Sequence, residues 1–367
     1  MALTKVDTSM VESSGAFGRR NILINGDYSI YQRAQQVATL GGSENYFTAD
    51  RWILNGALTS GRLTMTAGTE DAPAESNVTT SLKLDCTTAD TSLGAGEALT
   101  IQQRVEGYNL QQVKKGTSGA KQLTASFWVK GNGSATYILE LYDADNSRQV
   151  SKSFSVTSSW SKVELTFPAD TTGAFGNDAN LSLYFQIFLS AGSTYSGGTL
   201  SETWTSITNA NRAAGISNFV SSTSNELYIT AVQLEVGDTA TEFEILSRGE
   251  KEKLCHRYYQ RYAYGDLASG TSDAGIFSGT MWTTLLFYGL FYYPRGETRP
   301  APTVTLDATD GLTIFSGGST SASTSLDFTD RTSYGVEFTI GTNTLGQGNA
   351  AWARFQSGHF LEIDAEL

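Results

Sequence analysis

The sequence predicts an all-β fold: two antiparallel β-sandwich, jelly-roll-like domains preceded by an extended N-terminal arm. Three observations carry this. Apolar and polar residues alternate in many short runs, the most regular being Leu181, Leu183, Phe185, Ile187 and Leu189. Alternation of this kind puts one side of a strand on a core and the other toward solvent. The composition, with 37 Gly, much Ser and Thr, 11% aromatic and only 17% charged residues, suits short strands joined by small-residue turns. A helical signature is confined to one short stretch near residue 250.

Residues 1–20 read as the arm. Leu3, Met10, Val11 and Phe17 are its apolar anchors, interrupted by Ser13, Ser14, Gly15 and Gly18. Residues 21–246 form the first sandwich. Asn25-Gly26-Asp27 is a tight-turn signal near its start. Strand alternation follows at Leu82, Leu84 and Cys86, at Leu99, Ile101 and Val105, at Val163, Leu165 and Phe167, and over 181–189. Gly131-Asn132-Gly133, Gly173, Gly176 and Gly197-Gly198 punctuate the strands. Trp52, Trp128 and Trp160 are large enough to fill the space between two sheets. Arg51 is placed to stack or to pair with Asp27 or Asp50. Gln233 and Glu235 lie opposite Val232, Leu234 and Val236, facing solvent or bonding a returning N-terminal strand.

Residues 247–254 predict a short helical linker, with Ser247 and Glu250 in a capping-box spacing. Residues 255–367 form the C-terminal sandwich, an oligomerisation or tip domain. Tyr334, Val336, Phe338 and Ile340 alternate there, as do Leu361, Ile363, Ala365 and Leu367. Pro300 and Pro302 before Thr303 suit an edge strand. The aromatic run Phe287–Tyr293 is either a core strand or a subunit interface, because it exposes too much apolar area for a lone strand. No repeat of β-helix type is present.

Bulk properties narrow the function. A formal net charge of −12 with no basic stripe argues against nucleic acid and against acidic lipid headgroups. The longest apolar run, Leu285–Tyr293, is too short to span a bilayer, so no membrane insertion is expected. No apolar segment follows Met1–Lys5, so no signal peptide is expected. Cys86 and Cys255 fall in different domains and read as small buried hydrophobes. Catalysis is poorly supported. There are two histidines, His256 and His359, and the parity of His359 with Leu361 and Ile363 points it at a core. The carboxylates Asp143 and Asp145, or Asp178 and Glu140, could mimic a glycosidase pair, but nothing in the sequence raises a pKa among them.

Sugar recognition needs aromatic platforms with flanking polar groups, because a pyranose face is apolar and its rim hydroxylated. Tyr142, Tyr184 and Gln186 lie on strand faces opposite the apolar stripes, and Tyr195 and Trp204 lie in a Gly/Ser/Thr-rich loop. These five are the glycan-binding candidates. The plainer alternative is that they pack against a neighbouring subunit or a second sheet.

Several segments together carry a family resemblance. Asn21–Arg33 with Phe47–Trp52, Leu123–Lys130, and Tyr228–Gly237 with Thr241–Glu244 are similar to the first, central and closing strands of a carbohydrate-binding-module-like domain. Leu254–Tyr259, Arg299–Thr305 and Asp364–Leu367 fit the junction and C-terminal domain of the same proteins. The chain thus resembles tail-fibre and virion-surface proteins of tailed bacteriophages. The resemblance implies a non-enzymatic virion protein, assembled in the host bacterial cytoplasm, that attaches by its arm to other virion proteins of tail or capsid. It further implies a homotrimer presenting a sandwich to a host surface glycan. A capsid decoration or head-fibre protein and a polysaccharide depolymerase are the alternatives. No cofactor is expected beyond a structural Ca2+, for which the resemblance points to Asp27 and Glu235. The sequence departs from that pattern in having Thr230-Ala231 where an acidic ligand is expected.

Overall fold

The structure, a computed structural model, describes residues 19–263, 277–300 and 302–367. Leu3, Met10, Val11 and Phe17 of the expected arm lie outside the described residues. The chain divides into two units at Lys251/Glu252, and each is described by itself.

The first unit contains β1 (Gln36–Leu40), β2 (Glu44–Asn45), β3 (Ile53–Gly56), β4 (Arg62–Thr69), β5 (Ser81–Thr88), β6 (Ala98–Glu106), β7 (Leu123–Gly131), β8 (Ala135–Asp143), β9 (Arg148–Val156), β10 (Ser161–Phe167), β11 (Leu181–Ala191), β12 (Thr205–Ser206) and β13 (Glu226–Val236). A short helix α1 (Ser193–Ser196) follows β11. Two antiparallel sheets result. One has six strands in the order β1-β4-β5-β13-β7-β10, the other seven in the order β12-β9-β8-β11-β6-β3-β2. Their inner faces share one core. From the six-stranded sheet come Leu63, Leu84, Phe127, Ile229 and Leu234, and from the seven-stranded sheet Ile101, Leu139, Val150, Phe185 and Ile187. Trp52 is fully buried in this core, its ring centroid 4.9 Å from Tyr28 and 6.1 Å from Phe185.

The chain before β1 is held by side chains that imitate strand partners. Gln103, on the inward parity of β6, accepts from the Ile24 N–H at 2.7 Å and donates to the Ile24 carbonyl at 2.8 Å. Asn25 adopts φ 57°, a left-handed conformation that asparagine tolerates better than most residues. Its amide donates to the carbonyls of Ile30 and Asp50, and its Oδ1 accepts from the Ile30 N–H. The Trp52 indole donates to the Asn25 carbonyl at 2.9 Å. A bulge in β13 between Thr230 and Gln233, with Ala231 at φ 51°, turns the Val232 N–H toward the Gly26 carbonyl. A bulge frees backbone groups of one strand from its ladder. Here the freed groups meet the chain at residues 21–26. Any Cβ at Gly26 would come within 2.1 Å of the Val232 carbonyl, so that position accepts only glycine.

Several sequence expectations need correction. Trp128 and Trp160 do not fill the core; both lie on the outer face of the six-stranded sheet, because Leu123, Ala125, Phe127 and Val129 take every inward position of β7. Arg51 is buried and donates to the Arg104 carbonyl at 2.6 Å. Gln233 and Glu235 are buried and neither faces solvent nor bonds the incoming strand. They hold the outgoing segment, through Thr241 N–H to Glu235 Oε1 at 2.8 Å and Glu244 N–H to Gln233 Oε1 at 2.9 Å.

Helix α2 (Arg248–His256) begins with the expected reciprocal cap. Ser247 Oγ accepts from the Glu250 N–H, and Glu250 Oε2 accepts from the Ser247 N–H. The second unit contains β14 (Tyr259–Ala263), β15 (Phe277–Met281), β16 (Leu286–Tyr292), β17 (Thr303–Leu306), β18 (Leu312–Ser316), β19 (Ser319–Ala322), β20 (Ser325–Thr329), β21 (Gly335–Gly341), β22 (Ala350–Phe355) and β23 (Phe360–Asp364). A three-stranded sheet, β14-β23-β17, and a seven-stranded sheet, β19-β18-β22-β15-β16-β21-β20, share a second core of Tyr262, Phe277, Phe287, Phe338, Leu361 and Ile363. Strand β17, after Pro302, is an edge strand. The aromatic run splits by parity: Phe287, Phe291 and Tyr293 are buried, while Leu290 and Tyr292 are 51% and 70% exposed. Tyr334 is exposed and precedes β21, so the inward alternation begins at Val336. His359 does not enter the core. It precedes β23, and its Nδ1 lies 3.0 Å from Asp307 Oδ2 with part of the ring in solvent.

Candidate functional site

The outer face of the seven-stranded sheet is built in rows, because cross-strand partners share a face. In β11 the inward set Leu183, Phe185 and Ile187 leaves Tyr184, Gln186 and Phe188 outward. The register aligns Tyr184 with Arg104 on β6 and Tyr142 on β8, Gln186 with Gln102 and Glu140, and Phe188 with Thr100 and Ile138.

The three rows differ in chemistry and access. The third is apolar and sealed: Ile138, Phe188 and Ala213 form a small buried cluster with Tyr195, Leu200 and Ile216 packed on it. Those residues come from α1 and the loop after it. The second row is polar and buried. Glu140 is fully buried and meets the Arg212 guanidinium edge-on, with Nη2 at 2.8 Å from Oε2 and Nε at 3.0 Å from Oε1, while Gln186 Nε2 donates to Oε2. Burial pushes the Glu140 carboxyl above its ordinary range, and the charge and hydrogen bonds of Arg212 pull against it.

The first row is the accessible one. Tyr142 and Tyr184 are half-buried, with ring centroids 5.5 Å apart at 36°. A guanidinium flanks each ring. Arg104 lies 5.3 Å from the Tyr184 centroid and Arg212 lies 5.4 Å from that of Tyr142. Contacts of this kind contribute about 0.5–1 kcal/mol at exposed sites and hold the rings at fixed tilt. Arg104 also pairs with Glu44. Burial raises the Tyr184 hydroxyl above its ordinary pKa, so the phenol stays neutral and able to donate.

Of the five glycan candidates, the structure brings Tyr142, Tyr184, Gln186 and Tyr195 to one face. Gln186 is 5% exposed and engaged with Glu140, and Tyr195 covers Phe188, at a centroid distance of 6.4 Å. Trp204 is elsewhere, at the periphery of the core, its indole donating to the Pro168 carbonyl at 2.9 Å and its ring 5.2 Å from Lys115 Nζ. Arg104 and Arg212 were missed by the sequence reading. Arg104 was findable, since the inward set Leu99, Ile101 and Val105 places it outward; Arg212 sits in a loop with no period to read.

The carboxylates considered for catalysis are occupied. Asp143 Oδ2 lies 2.5 Å from the buried Lys115 ammonium and Asp143 Oδ1 accepts from the Asn146 N–H at 3.0 Å. Asp145 accepts from the Gly176 N–H and Asp178 from the Asn180 N–H. Asp27 and Glu235 also have separate partners. Asp27 Oδ2 lies 2.5 Å from Lys251 Nζ, and the Glu235 oxygens accept from Thr241 and Gln233. The Lys251 ammonium already balances the Asp27 charge, Asp27 and Glu235 share no partner, and no group of three or more His, Cys, Asp or Glu is arranged for a metal among the described residues. These residues do not fit a resident Ca2+.

No family model matches the chain, and no curated protein matches it. Among solved structures it is similar to TmCBM61 in complex with beta-1,4-galactotriose, at 11% identity and TM-score 0.29, covering 59% of this chain and 99% of that one. It is similar to the CBM22-1 xylan-binding domain from Paenibacillus barcinonensis Xyn10C, at 11% identity and TM-score 0.28, covering 60% and 96%. It is also similar to the family 11 carbohydrate-binding module from Clostridium thermocellum, at 10% identity and TM-score 0.26, covering 57% and 99%. At these values the likenesses carry no argument about what this chain binds.

Proposed function

We propose that the first unit is a non-catalytic glycan-binding sandwich of a tailed-phage virion protein, a tail-fibre or receptor-binding component. In this reading the segment before Arg19 attaches the chain to other virion proteins, and the sandwich meets a sugar chain on the host surface. The observation that supports sugar binding is the Arg104–Tyr184–Tyr142 row: two half-exposed rings on neighbouring strands, each flanked by a guanidinium. The rings offer an apolar platform to a pyranose face, and the guanidinium and phenol groups donate to its hydroxyls. The occupied carboxylates Glu140, Asp143, Asp145 and Asp178 favour binding over hydrolysis. The phage assignment is supported by the sequence resemblance of Asn21–Arg33, Tyr228–Gly237 and the C-terminal segments. The outward Leu290, Tyr292 and Trp352 of the second unit support self-association, in this reading as a homotrimer, which sedimentation of the full chain measures directly.

A glycan array probed with the native chain and with Tyr184→Ala and Tyr142→Ala tests the platform. Loss of a stacking ring weakens binding by about 10-fold or more, a cost of about 1.4 kcal/mol. Equal binding by both variants removes the platform from consideration. Negative-stain imaging of virions labelled on this chain tests the placement: label at the tail supports receptor binding, and label on the head points instead to shell decoration.

A further inference from the structure

The opposite face of the sandwich carries a second row of aromatics. Tyr228 on β13, Lys130 on β7 and Trp160, immediately before β10, stand side by side. Lys130 Nζ lies 4.4 Å from the Tyr228 centroid and 5.2 Å from that of Trp160, and the Trp160 indole donates to Asp71 at 3.3 Å. This row is satisfied by its own neighbours. One row further along the sheet, Trp128 on β7 stands between Thr230 on β13 and Lys162 on β10. It is not satisfied in that way.

Trp128 lines an open cleft of about 200 Å³ with Ser126, Lys162, Ala231, Glu75 and Glu242. The floor is the sheet itself. One wall is the 3-10 turn Ala74–Ser76 with Asn77, and the other is the outgoing segment at Glu242 and Phe243. The walls are tied together, since Asn77 Nδ2 donates to Glu242 Oε2 at 2.9 Å. The β13 bulge sets Ala231 into the lining, where its small side chain leaves room. Neither the Trp128 indole N–H nor the Ser126 hydroxyl makes a side-chain hydrogen bond among the described residues, and Glu75 likewise carries no ion pair there. A half-buried indole beside unengaged donors and acceptors, in a cleft closed on three sides, is the arrangement a single sugar ring requires.

We propose that this cleft is a second saccharide site, independent of the Tyr142–Tyr184 platform, and that it takes one neutral pyranose against Trp128. The indole N–H, the Ser126 hydroxyl and the free carboxylate oxygens of Glu75 and Glu242 bond the ring hydroxyls. Two carboxylates face one lysine, and that lysine already lies 2.7 Å from Glu164, so the cleft selects against uronic and sialic acids. With one site on each outer face, a single chain bridges two strands of a polysaccharide, and avidity follows from their joint use.

The test uses the full chain labelled with 5-fluorotryptophan, the Trp128 resonance being assigned with Trp128→Phe. The probes are methyl glycosides of glucose, galactose, mannose, xylose and N-acetylglucosamine, with galacturonic acid as the acidic comparison. The expected result is a saturable shift of the Trp128 resonance with at least one neutral glycoside. Ser126→Val weakens it several-fold with the other tryptophan resonances in place, galacturonic acid gives a weaker shift, and Tyr184→Ala leaves it unchanged. The proposal is overturned if no glycoside moves the Trp128 resonance, if Ser126→Val binds as the native chain does, or if the acidic sugar binds equally well. Loss of the shift in Tyr184→Ala shows that only the first platform binds, and also overturns it. Array binding that survives failure at Trp128 leaves the first platform standing by itself.

Discussion

Single side chains far apart in sequence fix this fold. Lys115 is the clearest: its ammonium is buried and reaches Asp143 at 2.5 Å, Asp170 at 3.1 Å, and the carbonyls of Thr172 and Gly173 at 2.8 and 2.9 Å. Arg148 shares the load on Asp170 at 2.7 Å. Removing one member of a buried ionic set leaves the others uncompensated, so Lys115→Met destabilises the first unit by about 3–5 kcal/mol, read as a lower midpoint in urea unfolding. Trp52→Ala empties the centre of the core and leaves the Asn25 carbonyl with the Tyr28 N–H but without the indole, at a cost also of about 3–5 kcal/mol. Neither pairing was legible in the sequence. Lys115 and Asp143 are 28 positions apart and Arg212 and Glu140 are 72 apart, and loop residues carry no period to say which way they point. Trp128 was legible and misjudged. Its size argued for the core, but the inward positions of β7 were already taken by Leu123, Ala125, Phe127 and Val129.

Periodicity did better for strands than for their termini. The alternation over 181–189 reads directly as β11 and gives both its faces, because a period of two admits only one partition. The same logic failed for His359 and Tyr334, each one residue outside its strand, where parity no longer dictates orientation. The helix at Arg248–His256 was legible from its cap, and it carries a titration of its own. Burial, with the nearby Arg295 charge second, lowers the His256 pKa to about 4 from 6.5. A helix C-terminus favours a protonated histidine, so desolvation outweighs the helix here. The folded ring stays neutral while the unfolded one takes up a proton below 6.5. Stability of the second unit is therefore full above that pH and declines as pH falls from 6.5 to about 4. The loss is on the order of 1 kcal/mol, since solvent reaches part of the ring. Thermal melts across this window show the decline, and His256→Gln flattens it.

At the scale of the molecule, the outline of two β units was written in alternation and turns, and the way the first unit is closed was not. Its closure is a carboxylate. Glu244 accepts from the backbone N–H groups of Arg20 at 2.8 Å and Asn21 at 3.1 Å, so the segment that enters the sandwich and the segment that leaves it grip one another. Glu244→Ala loosens both at once, and amide exchange at residues 20–24 and 241–244 accelerates together while β6, β8 and β11 keep their protection. The same clasp has a mechanical meaning. Tension applied between residue 19 and residue 245 falls first on a few bonds beside β13: the two to Glu244, the Ile22 N–H to the Leu234 carbonyl and the Asn21 amide to the Val232 carbonyl. A pull at those two ends therefore loads the clasp before it loads the ladders of β6, β8 and β11, which carry the Arg104–Tyr184–Tyr142 row.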